Sequence, residues 1–145
     1  MGANAVLNLF TTEPLDPSTV GRLYLGTESA LDSAKPTATY ILDLVEQQLT
    51  GAHGANCLRN VDAVDMTFAC IGAVDALENA CLFVRQNPEK KAIIVRLRLS
   101  KGQRQQRLRP TPADCGCHAV ARIWPRRQLV RILFPVALQE IAPFE

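Results

Sequence analysis

Apolar side chains follow two alternating patterns along the first 95 residues. Short segments rich in apolar residues at 20–26 and 61–68, and an uninterrupted apolar run at 92–95, predict three strands. Between them, apolar residues at helical spacing predict helices over residues 36–49 and 71–86, and residues 3–10 resemble the end of another helix. Strands without alternation that are separated by helices are typical of parallel sheets. The pattern therefore predicts an α/β fold with a βαβαβ parallel layer.

The composition is that of a soluble globular protein of one domain. The chain has 145 residues, of which 48% are apolar and 21% charged. No apolar run approaches the roughly 18–20 residues that cross a bilayer, so we expect no membrane partner. The first residues lack a basic flank and an apolar segment of secretory type. Because the five cysteines are odd in number and no export signal is present, we expect a cytoplasmic protein with reduced thiols.

The distribution of charge divides the chain near residue 95. Residues 1–95 carry six basic and eleven acidic side chains, whereas residues 96–145 carry ten basic and three acidic ones. The basic residues of the second segment lie among glutamine and proline without helical or strand period, and Pro135 interrupts its apolar run. We therefore predict two segments, an ordered α/β unit over residues 1–95 and an irregular arginine-rich tail over residues 96–145.

Cys70 and Glu28 are the candidate site residues. Cys70 stands where the second predicted strand gives way to a helix, whose free N–H groups and partial positive charge favour a thiolate and can hold an oxyanion. Glu28 follows the first strand, and the carboxyl ends of neighbouring parallel strands share one edge. A carboxyl group there can act as general acid or base beside a thiol nucleophile. The structural alternatives are a small apolar core cysteine and a solvated or helix-capping carboxylate.

Three segments resemble hydroxymethylglutaryl-CoA synthase, a condensing enzyme of the thiolase superfamily. They are residues 26–32 (Gly-Thr-Glu-Ser-Ala-Leu-Asp), 34–36 (Ala-Lys-Pro) and 68–72 (Phe-Ala-Cys-Ile-Gly). The resemblance runs over residues 1–95, about a quarter of a family member, and the first residues are similar to an internal stretch of its amino-terminal half. It implies a partial thiolase-like fold and identifies the chain as a fragment.

The same resemblance implies roles for both site residues. Cys70 would take acetyl from acetyl-CoA, and Glu28 would assist enolisation of that acetyl group and its attack on acetoacetyl-CoA, in the mevalonate route to isoprenoids. It implies CoA thioesters as substrates, no cofactor or metal, and a homodimer for intact members. The family's substrate-binding histidine has no counterpart, since neither His53 nor His118 matches its motif. A fragment without that histidine is not expected to turn over fully. A homologue that acts on carrier-protein-bound β-ketoacyl chains in polyketide β-branching fits residues 1–95 equally.

The tail has an alternative origin in a shifted reading frame. Codons can be chosen for residues 96–102 that, one nucleotide later, spell Ala-Ser-Asp-Leu-Ala-Lys-Gly, similar to the family's continuation. We therefore predict that residues 96–145 are an out-of-frame translation. Two other interpretations stay open: a basic tail that binds nucleic acid on a non-catalytic scaffold, although aromatic interleaving is missing, and a metal site at Cys115, Cys117 and His118, although no partner pair has zinc spacing.

Overall fold

The computed structural model describes residues 2–28, 30–68 and 71–97, and these form alternating helices and strands. The helices are α1 (Gly2–Thr12), α2 (Thr37–His53) and α3 (Gly72–Gln86), and a short 3-10 turn (Pro17–Thr19) precedes the first strand. The strands are β1 (Val20–Thr27), β2 (Asp62–Met66) and β3 (Lys91–Leu97). No helix among these residues is long and apolar enough to cross a membrane.

The three strands form one parallel sheet in the order β2-β1-β3. At the carboxyl end of the sheet, Leu25 of β1 lies opposite Asp65 of β2 and Val95 of β3. The predicted α/β class and the βαβαβ parallel layer are confirmed. Within the described residues β3 pairs with β1 alone, so its other edge is where a further strand would add.

Helices cover both faces of the sheet, which explains why its central strands are apolar without alternation. α1 and α2 pack on one face, and α3 packs on the other against β1 and β3. Successive side chains along each strand point to opposite faces of the sheet and so belong alternately to two cores. The first core includes Leu23, Leu25, Ile93 and Val95 from the strands and Val6, Ile41 and Val45 from the helices. The second includes Tyr24, Ala76, Ala80, Val84, Ala92 and Ile94.

Several element boundaries differ from the sequence prediction. α2 continues to His53 and ends at Gly54, whose φ of 83° is the left-handed conformation that glycine favours, so the predicted connection after residue 49 begins later. β2 is shorter than predicted, since Val61 precedes the strand and Thr67 and Phe68 follow it. The residue at the amino-terminal cap of α2 is Pro36, whose side chain makes no capping hydrogen bond.

β3 extends beyond the predicted boundary at residue 95. Arg96 and Leu97 belong to the strand and lie opposite Gly26 and Thr27 of β1. The rest of the predicted tail, with Cys115, Cys117 and His118, lies outside the described residues. The prediction of an irregular tail over residues 96–145 therefore stays a prediction beyond Leu97.

Candidate functional site

Glu28 lies at the carboxyl edge of the central strand. It follows Thr27, the last residue of β1, whose side chain is buried, and is itself exposed. β1 is flanked by a strand on each side, so its carboxyl end is the centre of the edge at which ligands bind in open α/β sheets. The structure thus places Glu28 where the sequence analysis expected it.

Cys70 lies outside the described residues, and its contacts stay a prediction. The residues on either side of it are described. The carbonyl oxygen of Phe68, just after β2, accepts hydrogen bonds from the N–H groups of Ile71 at 3.1 Å and Gly72 at 2.8 Å, at the start of α3. The predicted junction of strand and helix at this point of the sequence is confirmed.

Two glycines bring the beginning of α3 against the ends of β1 and β2. A Cβ atom on Gly26 would lie 2.5 Å from the backbone nitrogen of Ala73 and 2.8 Å from the carbonyl carbon of Gly72. A Cβ atom on Gly72 would collide with the carbonyl oxygen of Met66 and would lie 3.7 Å from the Cα of Gly26. Only hydrogen fits at both positions, and backbone therefore touches backbone here.

The contact between Gly26 and Gly72 joins the two chain segments on which the predicted site residues lie. Glu28 is two residues after Gly26, and Cys70 is two residues before Gly72. Two residues of extended chain span at most about 7 Å, so each residue is tethered close to the contact. The fold thereby brings together the segments that carry Glu28 and Cys70, although 28 and 70 are far apart in sequence.

The connection from β1 to α2, which carries Glu28, is fastened to the first turn of α2. The N–H of Leu31 donates to the hydroxyl oxygen of Thr37 at 2.8 Å. Thr37 is held in turn by Asp65 of β2, whose carboxylate accepts the N–H of Thr37 at 2.6 Å and that of Ala38 at 2.8 Å. These N–H groups have no partner within a helix, and the carboxylate also complements the positive end of α2.

The sequence pattern did not predict that Asp65 caps α2. Asp65 lies 28 positions after Thr37, the first residue of α2. No capping motif next to the helix in the sequence therefore predicts this contact. One feature of the sequence did point to it. Ala63 and Asp65 are two residues apart in β2 and so lie on the same face of the sheet, which α1 and α2 cover. A carboxylate on a covered face needs a hydrogen-bond partner. A charged residue at a helix-facing strand position is a candidate cap for a neighbouring helix.

A second polar contact orders the same connection. Asp32 accepts the N–H of Ala34 at 2.8 Å and the hydroxyl of Tyr40 at 3.2 Å, and the ammonium group of Lys35 lies 4.3 Å from the centre of the Tyr40 ring. The hydrogen bond from Ala34 has the largest effect, followed by that from Tyr40, and both lower the pKa of Asp32. Loss of solvation, followed by the bond to Asp32, raises the pKa of Tyr40. The connection is therefore a structured turn with a negative charge beside the start of α2.

The surface around the strand–helix junction is apolar. Phe68, Ile71 and Val74 are 65%, 46% and 59% exposed, and Leu31 in the neighbouring connection is 72% exposed. Large apolar side chains this exposed at one edge mark a surface that other protein or a ligand covers. The edge thus combines Glu28, the amino-terminal end of α3 and an apolar rim.

The remaining candidates lie away from this edge. His53 is in the last turn of α2, at the opposite end of that helix from Thr37. Cys57 and Cys81 are free, half-buried thiols, and burial, the largest cause in each case, raises the pKa of both. The described part of the chain contains no group of three histidine, cysteine or carboxylate side chains arranged to hold a metal ion.

Comparison of the sequence with characterised proteins finds several hydroxymethylglutaryl-CoA synthases. The chain is 31% identical over 125 residues to a hydroxymethylglutaryl-CoA synthase of Haloferax volcanii, covering 85% of this chain and 26% of the relative. It is 36% identical over 107 residues to a hydroxymethylglutaryl-CoA synthase of Caldivirga maquilingensis, covering 74% and 27%. No protein-family model matches the chain. The chain thus spans about a quarter of the length of these relatives.

Solved structures show the same fold. MvaS in complex with 3-hydroxy-3-methylglutaryl coenzyme A superimposes with a TM-score of 0.58 at 24% identity, covering 82% of this chain and 26% of that one. PksG, an HMG-CoA synthase from Bacillus subtilis, superimposes with a TM-score of 0.53 at 20% identity, covering 70% and 24%. The predicted partial thiolase-like fold and the predicted family resemblance are confirmed. The alignment with the Haloferax relative also continues past residue 95, because it covers 85% of the chain.

Proposed function

This chain belongs to the hydroxymethylglutaryl-CoA synthase family, and we propose that it is a fragment carrying the acetyl-transfer half of that enzyme's site. Cys70 is the nucleophile that takes the acetyl group of acetyl-CoA. Glu28 is the general base that removes a proton from the methyl carbon of the bound acetyl group. The contact between Gly26 and Gly72 supports this proposal, because it draws the two residues' segments to one sheet edge.

The first step exchanges one thioester for another. The thiolate of Cys70 attacks the carbonyl carbon of acetyl-CoA, the negative charge moves to the carbonyl oxygen, and the carbon–sulfur bond to CoA breaks as CoA leaves and takes up a proton. The positive end of the α3 dipole favours the thiolate and stabilises the oxyanion. Phe68 and Ile71 form an exposed apolar rim beside this position.

The second step prepares a carbon nucleophile. Glu28 accepts a proton from the methyl group of the acetyl-Cys70 thioester, and the electron pair is delocalised onto the thioester oxygen as an enolate. In the complete enzyme this carbon attacks the ketone of acetoacetyl-CoA. That step uses a substrate-binding histidine that has no counterpart in this chain, so we expect acetyl transfer without full turnover and no CoA release that depends on acetoacetyl-CoA.

The remaining properties of the complete enzyme are part of the same proposal. The substrates are acetyl-CoA and acetoacetyl-CoA, the chemistry uses no resident cofactor or metal, and the reaction feeds isoprenoid synthesis in the cytoplasm. The complete protein is a homodimer. Exposed Phe68, Val74 and Leu31 agree with a chain that has neighbours to cover this edge.

Acetylation of Cys70 tests the proposal. The chain is incubated with acetyl-CoA, and peptide mass spectrometry locates the acetyl group. We expect modification at Cys70 and none in the Cys70→Ala variant, whereas Cys81→Ala retains it. A chain that carries no acetyl group at Cys70, or as much on Cys81, refutes the assignment. An acetylated carrier protein in a parallel reaction tests the β-branching alternative, which predicts that this donor alone modifies Cys70.

The role of Glu28 requires a second measurement. In deuterated water, the methyl hydrogens of the acetyl-Cys70 chain should exchange with solvent, which raises the mass of the acetyl group. We expect Glu28→Gln to accept the acetyl group and to lose this exchange, because the amide is not basic. Equal exchange in both chains would exclude Glu28 as the base.

The origin of residues 96–145 is a separate proposal. We infer that part of this segment is translated out of frame. Its arginines lack any periodicity, and codons can be chosen for residues 96–102 that spell family-like residues when they are read one nucleotide later. The DNA sequence across codons 94–98 and downstream provides the test. A shifted frame that fails to restore the family pattern excludes the idea, and salt-dependent binding of the chain to DNA or RNA would support a basic binding tail instead.

A further inference from the structure

Asp65 is joined to the Glu28 segment through two successive contacts. Its carboxylate accepts the N–H groups of Thr37 and Ala38 at 2.6 and 2.8 Å. The hydroxyl oxygen of Thr37 then accepts the N–H of Leu31 at 2.8 Å. Leu31 is three residues after Glu28 in the same connection. A path of hydrogen bonds therefore runs from β2, through the first turn of α2, to the connection that carries Glu28.

Burial and charge restrain the part of this path that joins Asp65 to Thr37. The Thr37 side chain is 6% exposed, and Asp65 is half-buried between its strand and the helix. A bidentate carboxylate at a helix amino terminus makes charge-assisted bonds, which are stronger than bonds between neutral groups. Asp65 also lies opposite Leu25 in the central strand, so it is fixed by the sheet ladder itself. The first turn of α2 therefore cannot shift independently of the sheet edge.

We propose that Asp65 is a positioning residue for Glu28, acting through Thr37 and Leu31. This inference rests on the proposed function, in which Glu28 is the base. Asp65 does not touch the reacting atoms. It holds α2, α2 holds Leu31 through the Thr37 hydroxyl, and the Leu31 anchor limits where the connection can carry Glu28. Proton removal from a bound acetyl group depends strongly on such placement, since a displacement of about 1 Å costs on the order of 10²-fold in rate.

Thr37→Val is the sharpest variant. It removes the hydroxyl that accepts the Leu31 N–H but leaves the backbone N–H groups that Asp65 binds, so α2 stays capped. We expect the Leu31 amide to exchange with solvent about tenfold faster, as for loss of one hydrogen bond. We also expect slower deuterium exchange of the acetyl methyl group. Thr37→Ser keeps the hydroxyl and should restore both, which a loss of packing alone would not predict. Asp65→Asn should reproduce the Thr37→Val result.

Glu46→Gln is the matched control. The Glu46 carboxylate also accepts a backbone N–H, that of Leu58 at 2.9 Å. Glu46 lies in the middle of α2, and Leu58 precedes β2, whereas Glu28 follows β1. We expect Glu46→Gln to leave Leu31 and the acetyl methyl exchange unchanged. The positioning proposal is overturned by one combination of results. In that case the acetyl methyl group exchanges in the parent chain but not in Glu28→Gln, and it exchanges at the parent rate in Thr37→Val and Asp65→Asn. If the parent is not acetylated, or Glu28→Gln exchanges normally, the proposed function is overturned and this inference with it.

Discussion

The backbone contact at Gly26 gives a direct steric test of the site's architecture. An alanine at position 26 would put its Cβ 2.5 Å from the nitrogen and 2.6 Å from the Cα of Ala73. Because nonbonded contacts of this kind are comfortable only from about 3.5 Å, the first turn of α3 would have to withdraw by about 1 Å. Both neighbours are backbone atoms, so no change of rotamer relieves the clash.

We expect Gly26→Ala to lower the free energy of unfolding by about 2–3 kcal/mol, the upper part of the range for overpacking. The effect is steric, because among the described glycines a positive φ occurs at Gly54 and not at Gly26. Urea unfolding followed by circular dichroism gives the change in stability. Acetylation of Cys70 should slow as well, since its segment begins the displaced helix.

Gly51→Ala is the control for this experiment. Gly51 lies within α2, and a Cβ there meets nothing within 4 Å. Because alanine is the better helix former, we expect a gain of about 0.5–1 kcal/mol. Opposite signs for the two substitutions would verify the contact between β1 and α3. If Gly26→Ala were as stable as Gly51→Ala, the close approach of helix and strand would be refuted, and with it the argument that draws Glu28 and Cys70 together.

Two further predictions concern the core and the thiols. Leu25→Ala, at a fully buried position, should cost about 2–5 kcal/mol in urea unfolding, whereas Leu44→Ala, at a side chain 53% exposed, should cost less than about 0.5 kcal/mol; similar losses would contradict the assigned packing. Cys81 should react with iodoacetamide several-fold more slowly in the folded chain than in urea at pH 8, because its raised pKa leaves less thiolate. Equal reaction rates in the folded and unfolded chains would contradict this burial. Because the pKa of Cys81 is higher in the folded chain, the neutral thiol contributes stability below the ordinary thiol pKa of about 8.5, and this contribution is lost as pH rises through the pKa of the folded chain.

Sequence patterns predicted the order of elements because the cause of each element is local. The apolar stripe that includes Ile41 and Val45 repeats every three to four residues, which only a helix turns to one face. The run at residues 92–95 is apolar at every position, as expected for a strand covered on both faces. Ends were less well predicted, since α2 stops where Gly54 adopts a left-handed conformation and not where its apolar stripe ends.

The candidate site was predictable to the extent that strand ends share an edge. The rule for parallel sheets, together with the family resemblance, selected Glu28 and Cys70. It did not reveal that Asp65 holds the start of α2, because that contact joins residues 28 positions apart. Nor did it distinguish Gly26 and Gly72 from glycines such as Gly51, since the lack of space at a glycine is a property of its neighbours in the fold.

The sequence by itself determined the class of this protein, which has three strands joined by two crossover helices, and it placed Glu28 after the first strand. It also predicts a thiol at the end of the second strand. Periodicity and strand parity are enough for that, because they depend on residues within one or two turns of each other. Only the tertiary structure decided how close the helix carrying the thiol segment approaches the central strand, and which carboxylate holds the opposite helix in place. Both depend on atoms brought together from distant parts of the chain, at separations where a single methyl group no longer fits.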